Sequence, residues 1–228
     1  MSKIKRFFDI VFSGSYDLIL TGLKNTFIIA LGGLVIGIII GCIVATLKVA
    51  GGRNKIAKCI SYIGDIYTGV FRGTPIVVQL LISHFVVFRT MTLDPVLESM
   101  LVFGLNSGAY VSEIMRGGIL SVDIGQTEAG RTLGLSYTTT MIKVVIPQAV
   151  KNVVPTLGNE LIALIKDTSV ASFIGTIDLN SAFTAIAGLT LDYMVPYLCL
   201  ALMYLIIVII FTFIIRFVER RLRKSERR

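Results

Sequence analysis

The chain has 228 residues, of which 54% are hydrophobic and only 16% charged, with a formal net charge of +8. Mean hydropathy is +0.83, and an average soluble domain carries about 25% charged residues, so a water-soluble globule and a disordered chain are both excluded. The positive charge does not indicate nucleic acid. It is concentrated between Arg216 and Arg228, beyond the last apolar run, where basic residues read as an orientation signal beside anionic lipid.

At the N-terminus, Lys3, Lys5, Arg6 and Asp9 interrupt any apolar run, so no cleavable signal peptide is expected and the whole chain is read as mature. Phe7, Phe8, Ile10, Val11 and Phe12 predict a short amphipathic helix on the lipid surface. A helix needs ~20 mostly apolar residues to cross the bilayer core. Thr26 to Leu47 carries no charge and gives the first span, with Gly33, Gly37 and Gly41 forming a small-residue ridge for close helix packing. Ile66 to Phe88 gives the second, apolar except for Arg72 and interrupted by Gly73-Thr74-Pro75. Val96 to Met115 gives the third and carries Glu98 and Glu113.

Val153 to Ser172 gives the fourth, with Glu160, Lys166 and Asp167. Phe173 to Leu189 is too polar and too close to the fourth span to cross again, and predicts a short re-entrant or surface helix. Tyr193 to Ile215, uncharged, gives the fifth. The expected fold is an all-α membrane protein, a single domain over residues 1–228 with five transmembrane helices (26–47, 66–88, 96–115, 153–172 and 193–215).

Placing the C-terminus inside also puts Lys48, Arg53, Lys55, Lys58, Arg116, Arg131, Lys143 and Lys151 inside. Only Lys3, Lys5, Arg6, Lys24 and Arg89 fall outside, which predicts N-out/C-in. Cys42, Cys59 and Cys199 are scattered, without disulfide or zinc spacing, and the one histidine, His84, has no second histidine with which to hold a metal. No internal repeat is visible, which counts against transporters built from repeated halves.

Between the third and fourth spans lies an inner segment, residues 121–151, long enough to be functional. Thr127 can cap a helix beginning at Glu128, Gly134 can stop it, and Ser136 can cap a second run that Pro147 limits. The spacing is Glu128-Ala129-Gly130, three residues, Gly134, nine residues, Val144, one residue, Ile146-Pro147. It resembles the cytoplasmic coupling motif of ABC importer permeases, EAA-x3-G-x9-I-x-L-P. Val144 and Ile146 are conservative changes, and Gly130 is a departure that remains small.

Three further stretches resemble the polar amino acid permeases of the histidine/glutamine/arginine type: Phe71-Arg72-Gly73-Thr74-Pro75 with Gln79; Leu105 to Tyr110 with Glu113 and Arg116-Gly117-Gly118; and Gly158-Asn159-Glu160 through Lys166-Asp167-Thr168-Ser169. Ser83 to Pro95 fits that pattern less well and holds His84 and Arg89, so the outer gate is expected to differ.

The resemblance implies the translocating subunit of an importer in the bacterial cytoplasmic membrane. Its partners would be two ATPase subunits, a second permease chain, identical or related, and an extracytoplasmic substrate-binding protein. No Gly-x4-Gly-Lys-Ser/Thr loop is present, so ATP and Mg are expected on the partner ATPase and no cofactor on this chain. Intramembrane charges mark a pathway or a pairing. Glu160 or Asp167 could hold an ammonium and Arg72 a carboxylate, with Thr74, Gln79, Asn159, Thr168 and Ser169 as lesser contacts. Alternatively, Arg72 or Lys166 pairs with Glu160 or Asp167. Glu128, Ala129, Gly130, Gly134, Val144, Ile146 and Pro147 would couple to the ATPase. A stand-alone secondary amino acid transporter or channel, or a membrane anchor or sensor subunit, are the competing readings.

Overall fold

A computed structural model describes residues 3–50 and 55–224, which include no strand. The predicted inner charge Arg53, and Arg227 and Arg228 of the basic tail, lie outside the described residues. The helices are α1 (Lys3–Ile10), α2 (Tyr16–Ala50), α3 (Lys55–Gly73), α4 (Ile76–Ile82), α5 (Pro95–Leu120), α6 (Ile124–Thr132), α7 (Tyr137–Thr140), α8 (Ile146–Asp167), α9 (Leu179–Thr190) and α10 (Met194–Lys224). Helices α2 and α10 are each long and apolar enough to cross a membrane, and α3 with α4 passes that test only as a bent pair.

The core is the pairing of α2 with α5. A Cβ on Gly33 would meet Phe103 Cβ at 3.2 Å, one on Gly37 would meet Ser107 Oγ at 2.7 Å, and one on Gly41 would meet Val111 Cγ1 at 2.6 Å. Both series advance by four, so the two helices run in the same direction with their backbones nearly touching. From the other side, a Cβ on Gly104 would meet Ile36 Cβ at 2.6 Å. The opposite face of α2 presents Leu31, Val35, Ile39 and Ile43, all exposed and also spaced by four, as a helix facing lipid should. Helix α8 runs against α5: Glu160 meets Ser107, while Asn152 Nδ2 donates to Ser121 Oγ at 2.9 Å.

Three expectations are modified. The second predicted span breaks at Gly73-Thr74-Pro75 as expected, but α3 and α4 meet at 103° and do not form one straight rod. The N-terminal helix forms, yet it is not only a surface helix: Phe7 is buried and stacks on Phe183 of α9 at 6.5 Å, leaving Phe8 and Phe12 exposed. After a turn of 3-10 helix (Thr168–Ile174), Gly175 takes φ +80 and the chain turns into α9, bent 56° from the preceding helix. Leu179, Ala182, Phe183, Ile186 and Ala187 are buried, and Asp178 caps the helix through the amides of Asn180 and Ser181. The surface alternative therefore does not hold, while the bend accords with the re-entrant one.

Candidate functional site

The break between α3 and α4 frees backbone carbonyls, each costly to leave unmade in an apolar surround. Two side-chain amides close it. Gln79 Nε2 donates to Phe71 O (2.8 Å), Thr74 O (3.0 Å) and Thr74 Oγ1 (2.9 Å). Asn106 Nδ2, from α5, donates to Phe71 O (3.2 Å) and to Gln79 Oε1 (3.0 Å). Gln79 and Thr74 are thus engaged in holding the broken helix. Beside them Arg72 is exposed, its guanidinium 5.4 Å from the Tyr110 ring centroid, a cation–π placement.

The next residue of α5, Ser107, donates from Oγ to Glu160 Oε1 at 2.9 Å. One turn of α5 therefore joins the two predicted halves of the substrate set, Arg72, Thr74 and Gln79 on one side and Glu160 on the other. Asn159 is exposed nearby in sequence. Asp167, exposed, and Thr168 and Ser169 lie two turns further along. Thr168 is buried with its hydroxyl on Ile165 O, and Ser169 O accepts from Asn180 Nδ2 at 3.2 Å. Among the described residues none of Arg72, Glu160, Lys166 and Asp167 forms an ion pair, so the mutual pairing considered from sequence is not the arrangement present.

Asn106, Ser107 and Tyr110 were missed as site residues. The signal was available, since a broken helix demands donors and α5 carries consecutive polar residues at mid-span. A second cluster was also missed. Lys48 Nζ, its side chain 6% exposed, pairs with Asp65 (2.9 Å) and Glu113 (2.7 Å), and Arg116 reaches Glu113 through two nitrogens. It ties α2, α3 and α5 together near the inner segment, and only the packing reveals it.

In the inner segment, α6 begins at Ile124, not at Glu128. Asp123 caps it by accepting from Gly125 N at 2.6 Å, which displaces Thr127 from that role and puts Glu128 in mid-helix, away from the dipole of the first turn. The stop is as expected: Gly134 takes φ +75, with Gly134 N on Arg131 O and Leu135 N on Gly130 O, both 3.0 Å, the paired bonds of a glycine helix end. Ser136 caps the next helix through Thr139 N at 3.2 Å.

Pro147 does not limit that helix. A π-helical turn (Met141–Val145) shifts the hydrogen-bond register, so Pro147 falls in the first turn of α8, where its missing N–H costs nothing, and Ile146 opens α8 directly after that turn. Among the exposed residues of the segment are Glu128, Ala129, Ile146 and Pro147, with Val144 half-buried.

Gly130 departs from the coupling pattern for a local reason. Its Cα abuts buried Thr140, and an added Cβ would lie 2.6 Å from both Thr140 Oγ1 and Cγ2. The expected result is that Gly130→Ala, although it restores the family residue, destabilises the segment by about 1–3 kcal/mol. Adding Thr140→Ala should return most of that loss. Limited proteolysis of the segment measures both, and a harmless Gly130→Ala would refute the packing explanation.

The model of the family described as "Binding-protein-dependent transport system inner membrane component" matches residues 37–224. The arginine transport system permease protein ArtQ of Bacillus subtilis (strain 168) is 38% identical over 210 residues, covering 91% of this chain and 94% of that protein. The glutamine transport system permease protein GlnP of Escherichia coli (strain K12) is 35% identical over 209 residues, covering 90% of this chain and 93% of that one.

Among solved structures, one described as a crystal structure of an amino acid ABC transporter with histidines superposes with a TM-score of 0.86 at 35% identity, covering 94% of this chain and 98% of that chain. An inward-facing form of the MetNI methionine ABC transporter gives a TM-score of 0.73 at 18% identity, covering 90% and 96%, a likeness of fold.

Proposed function

Because this chain belongs to the family of binding-protein-dependent transport system inner membrane components, we propose that it is the permease subunit of an ATP-driven importer that carries a polar amino acid into the cytoplasm. The observation that carries the reading is the inner segment. It is an ordered helix pair with the coupling spacing, and it presents Ile124 (74% exposed) and Leu133 (78% exposed) uncovered by the described residues. Exposed apolar side chains on an ordered helix end suit a protein partner, here the ATPase subunit, which also supplies ATP and Mg.

In this reading five helical spans run N-out/C-in, two permease chains share two ATPase subunits, and an extracytoplasmic binding protein delivers the substrate. Because α7 continues through the π turn into α8, displacement of the inner segment moves α8, and with it Glu160, against α5. ATP binding shifts the equilibrium only if the ATPase grips the two permease conformations with different affinity. Glu160 holds the substrate ammonium and Arg72 its carboxylate, while Gln79, Thr74 and Asn106 keep the broken helix in shape. Asn159, Asp167, Thr168 and Ser169 lie along the continuation of the α8 path.

The test is uptake into proteoliposomes holding the complete transporter and its binding protein. Uptake should require enclosed ATP, and Glu160→Gln should lower it roughly tenfold or more, the worth of a charge-assisted bond, while binding-protein-independent ATPase activity persists. Uptake driven by an ion gradient without ATP would establish a secondary transporter instead. Unaltered uptake by Glu160→Gln would remove that residue from the site.

A further inference from the structure

Where the π-helical turn Ser83–Val87 meets the start of α5, the structure holds a cavity of about 450 Å3 that shares no residue with the central site. Its size is that of ordinary small-ligand pockets. Glu98 lines it with its side chain only 3% exposed. One carboxylate oxygen, Oε2, lies 2.9 Å from His84 Nδ1, and the ring of His84 is braced edge-on by Phe85 at 4.8 Å. The other oxygen, Oε1, is buried and has no hydrogen-bond partner. The N-terminal dipole of α5 favours a negative charge there but supplies no donor to Oε1. An unmatched buried carboxylate oxygen is costly.

The same cavity is lined by Arg89, exposed and without an ion pair among the described residues. Its guanidinium carries five donors, and none meets an acceptor among the described residues. Phe85, Phe88, Met91 and Leu93 supply apolar wall. The cavity thus offers an acceptor lacking a donor, a guanidinium lacking an anion, and an apolar lining. A metal or ammonium ion alone would answer Glu98 and leave Arg89 unpaired. An inorganic anion alone would answer Arg89 and be repelled by Glu98. A ligand carrying both charges answers both.

We propose that this cavity binds a zwitterionic amino acid, its cationic nitrogen on Glu98, its carboxylate on Arg89 and its side chain against Phe85, Phe88 and Met91. His84 is a positioning residue that fixes the Glu98 carboxylate. A role as an outer station on the uptake route rests on the importer reading; the binding site itself rests on these charges.

The test uses photo-leucine, a diazirine amino acid, on the complete transporter in nanodiscs, with the labelled peptides identified by mass spectrometry. Residues 84–98 should be labelled, and excess arginine or glutamine should suppress the label. Arg89→Ala, at an exposed side chain that folding does not need, should lower labelling roughly tenfold or more, as should Glu98→Gln, whereas Glu160→Gln should leave labelling of this peptide unchanged.

Labelling elsewhere but not in residues 84–98 would overturn the site. Labelling unaffected by either outer variant would overturn it too, as would equal labelling by the N-acetyl methyl ester, because apolar partitioning would then suffice. ATP-driven uptake is measured on the same preparation. Its absence with labelling intact would fault the importer reading alone.

Discussion

Gly41→Leu is expected to abolish accumulation of the folded chain in the membrane. The α-carbon of Gly41 sits against α5 so closely that even a Cβ would lie 2.6 Å from Val111 Cγ1, 2.7 Å from Val111 Cβ and 2.9 Å from the backbone nitrogen of Ser112. The valine could rotate; the backbone nitrogen cannot. Leucine gains up to about 1 kcal/mol in helix propensity over glycine. Inserting extra methylenes into a packed core costs about 1–3 kcal/mol, occasionally more, and here a backbone nitrogen is among the obstacles, so the steric term outweighs the propensity gain.

Separating α2 from α5 would also pull apart the ridge at Gly33 and Gly37 and the Lys48–Glu113 ion pair. Ile39→Leu, two residues away on the exposed face, is the matched control and should behave as wild type. Fluorescence-detected size-exclusion chromatography of tagged chains reads the result. A monodisperse Gly41→Leu peak of wild-type height would refute the close-packing account.

Gly134→Val is expected to leave the chain folded and inserted yet reduce uptake roughly tenfold or more. Nothing lies within 4 Å of the position a Cβ would take, so space is not the issue. The issue is φ +75, which a β-branched residue adopts only at a cost of about 1–3 kcal/mol. That penalty is too small to unfold the spans. It is comparable with the two hydrogen bonds that end α6, Gly134 N to Arg131 O and Leu135 N to Gly130 O. The end of α6 should therefore unwind and lose the exposed Leu133 as a fixed surface feature. Gly134→Asn, which tolerates this backbone region, should be far milder. Proteoliposome uptake normalised to chain abundance makes the comparison, and normal uptake in the valine variant would contradict the docking model.

The parts legible in the sequence were those set by local rules. Uninterrupted apolarity marks residues 26–47 and 193–215; α2 extends beyond both ends of the first, and α10 runs past the C-terminal end of the second. Gly73-Thr74-Pro75 breaks its helix because proline lacks a donor and constrains its predecessor, and Gly134 and Ser136 end and start helices as their chemistry dictates.

The parts that were not legible depend on register or on distant partners. Pro147 reads as a stop only if the helix keeps its ordinary hydrogen-bond register, and the π turn at Met141–Val145 removes that condition. Asp123 outcompetes Thr127 as a cap because α6 begins a turn earlier than the coupling motif suggests. Glu160 is recognisable as an intramembrane carboxylate, but that Ser107 bonds it while the adjacent Asn106 braces a broken helix follows only from the packing of α5 between α3 and α8.

Affinity purification of the tagged chain from native membranes in mild detergent, with partners identified by mass spectrometry, for wild type and Gly134→Val in parallel, decides whether the chain works with an ATPase. An importer with two-fold pairing of permeases and ATPases requires that wild type recover an ATPase subunit in roughly one-to-one proportion with total permease chains. Gly134→Val should recover much less from the same amount of membrane-inserted chain. Wild-type chain free of any ATPase, under conditions that hold a known transporter complex together, would contradict the importer reading.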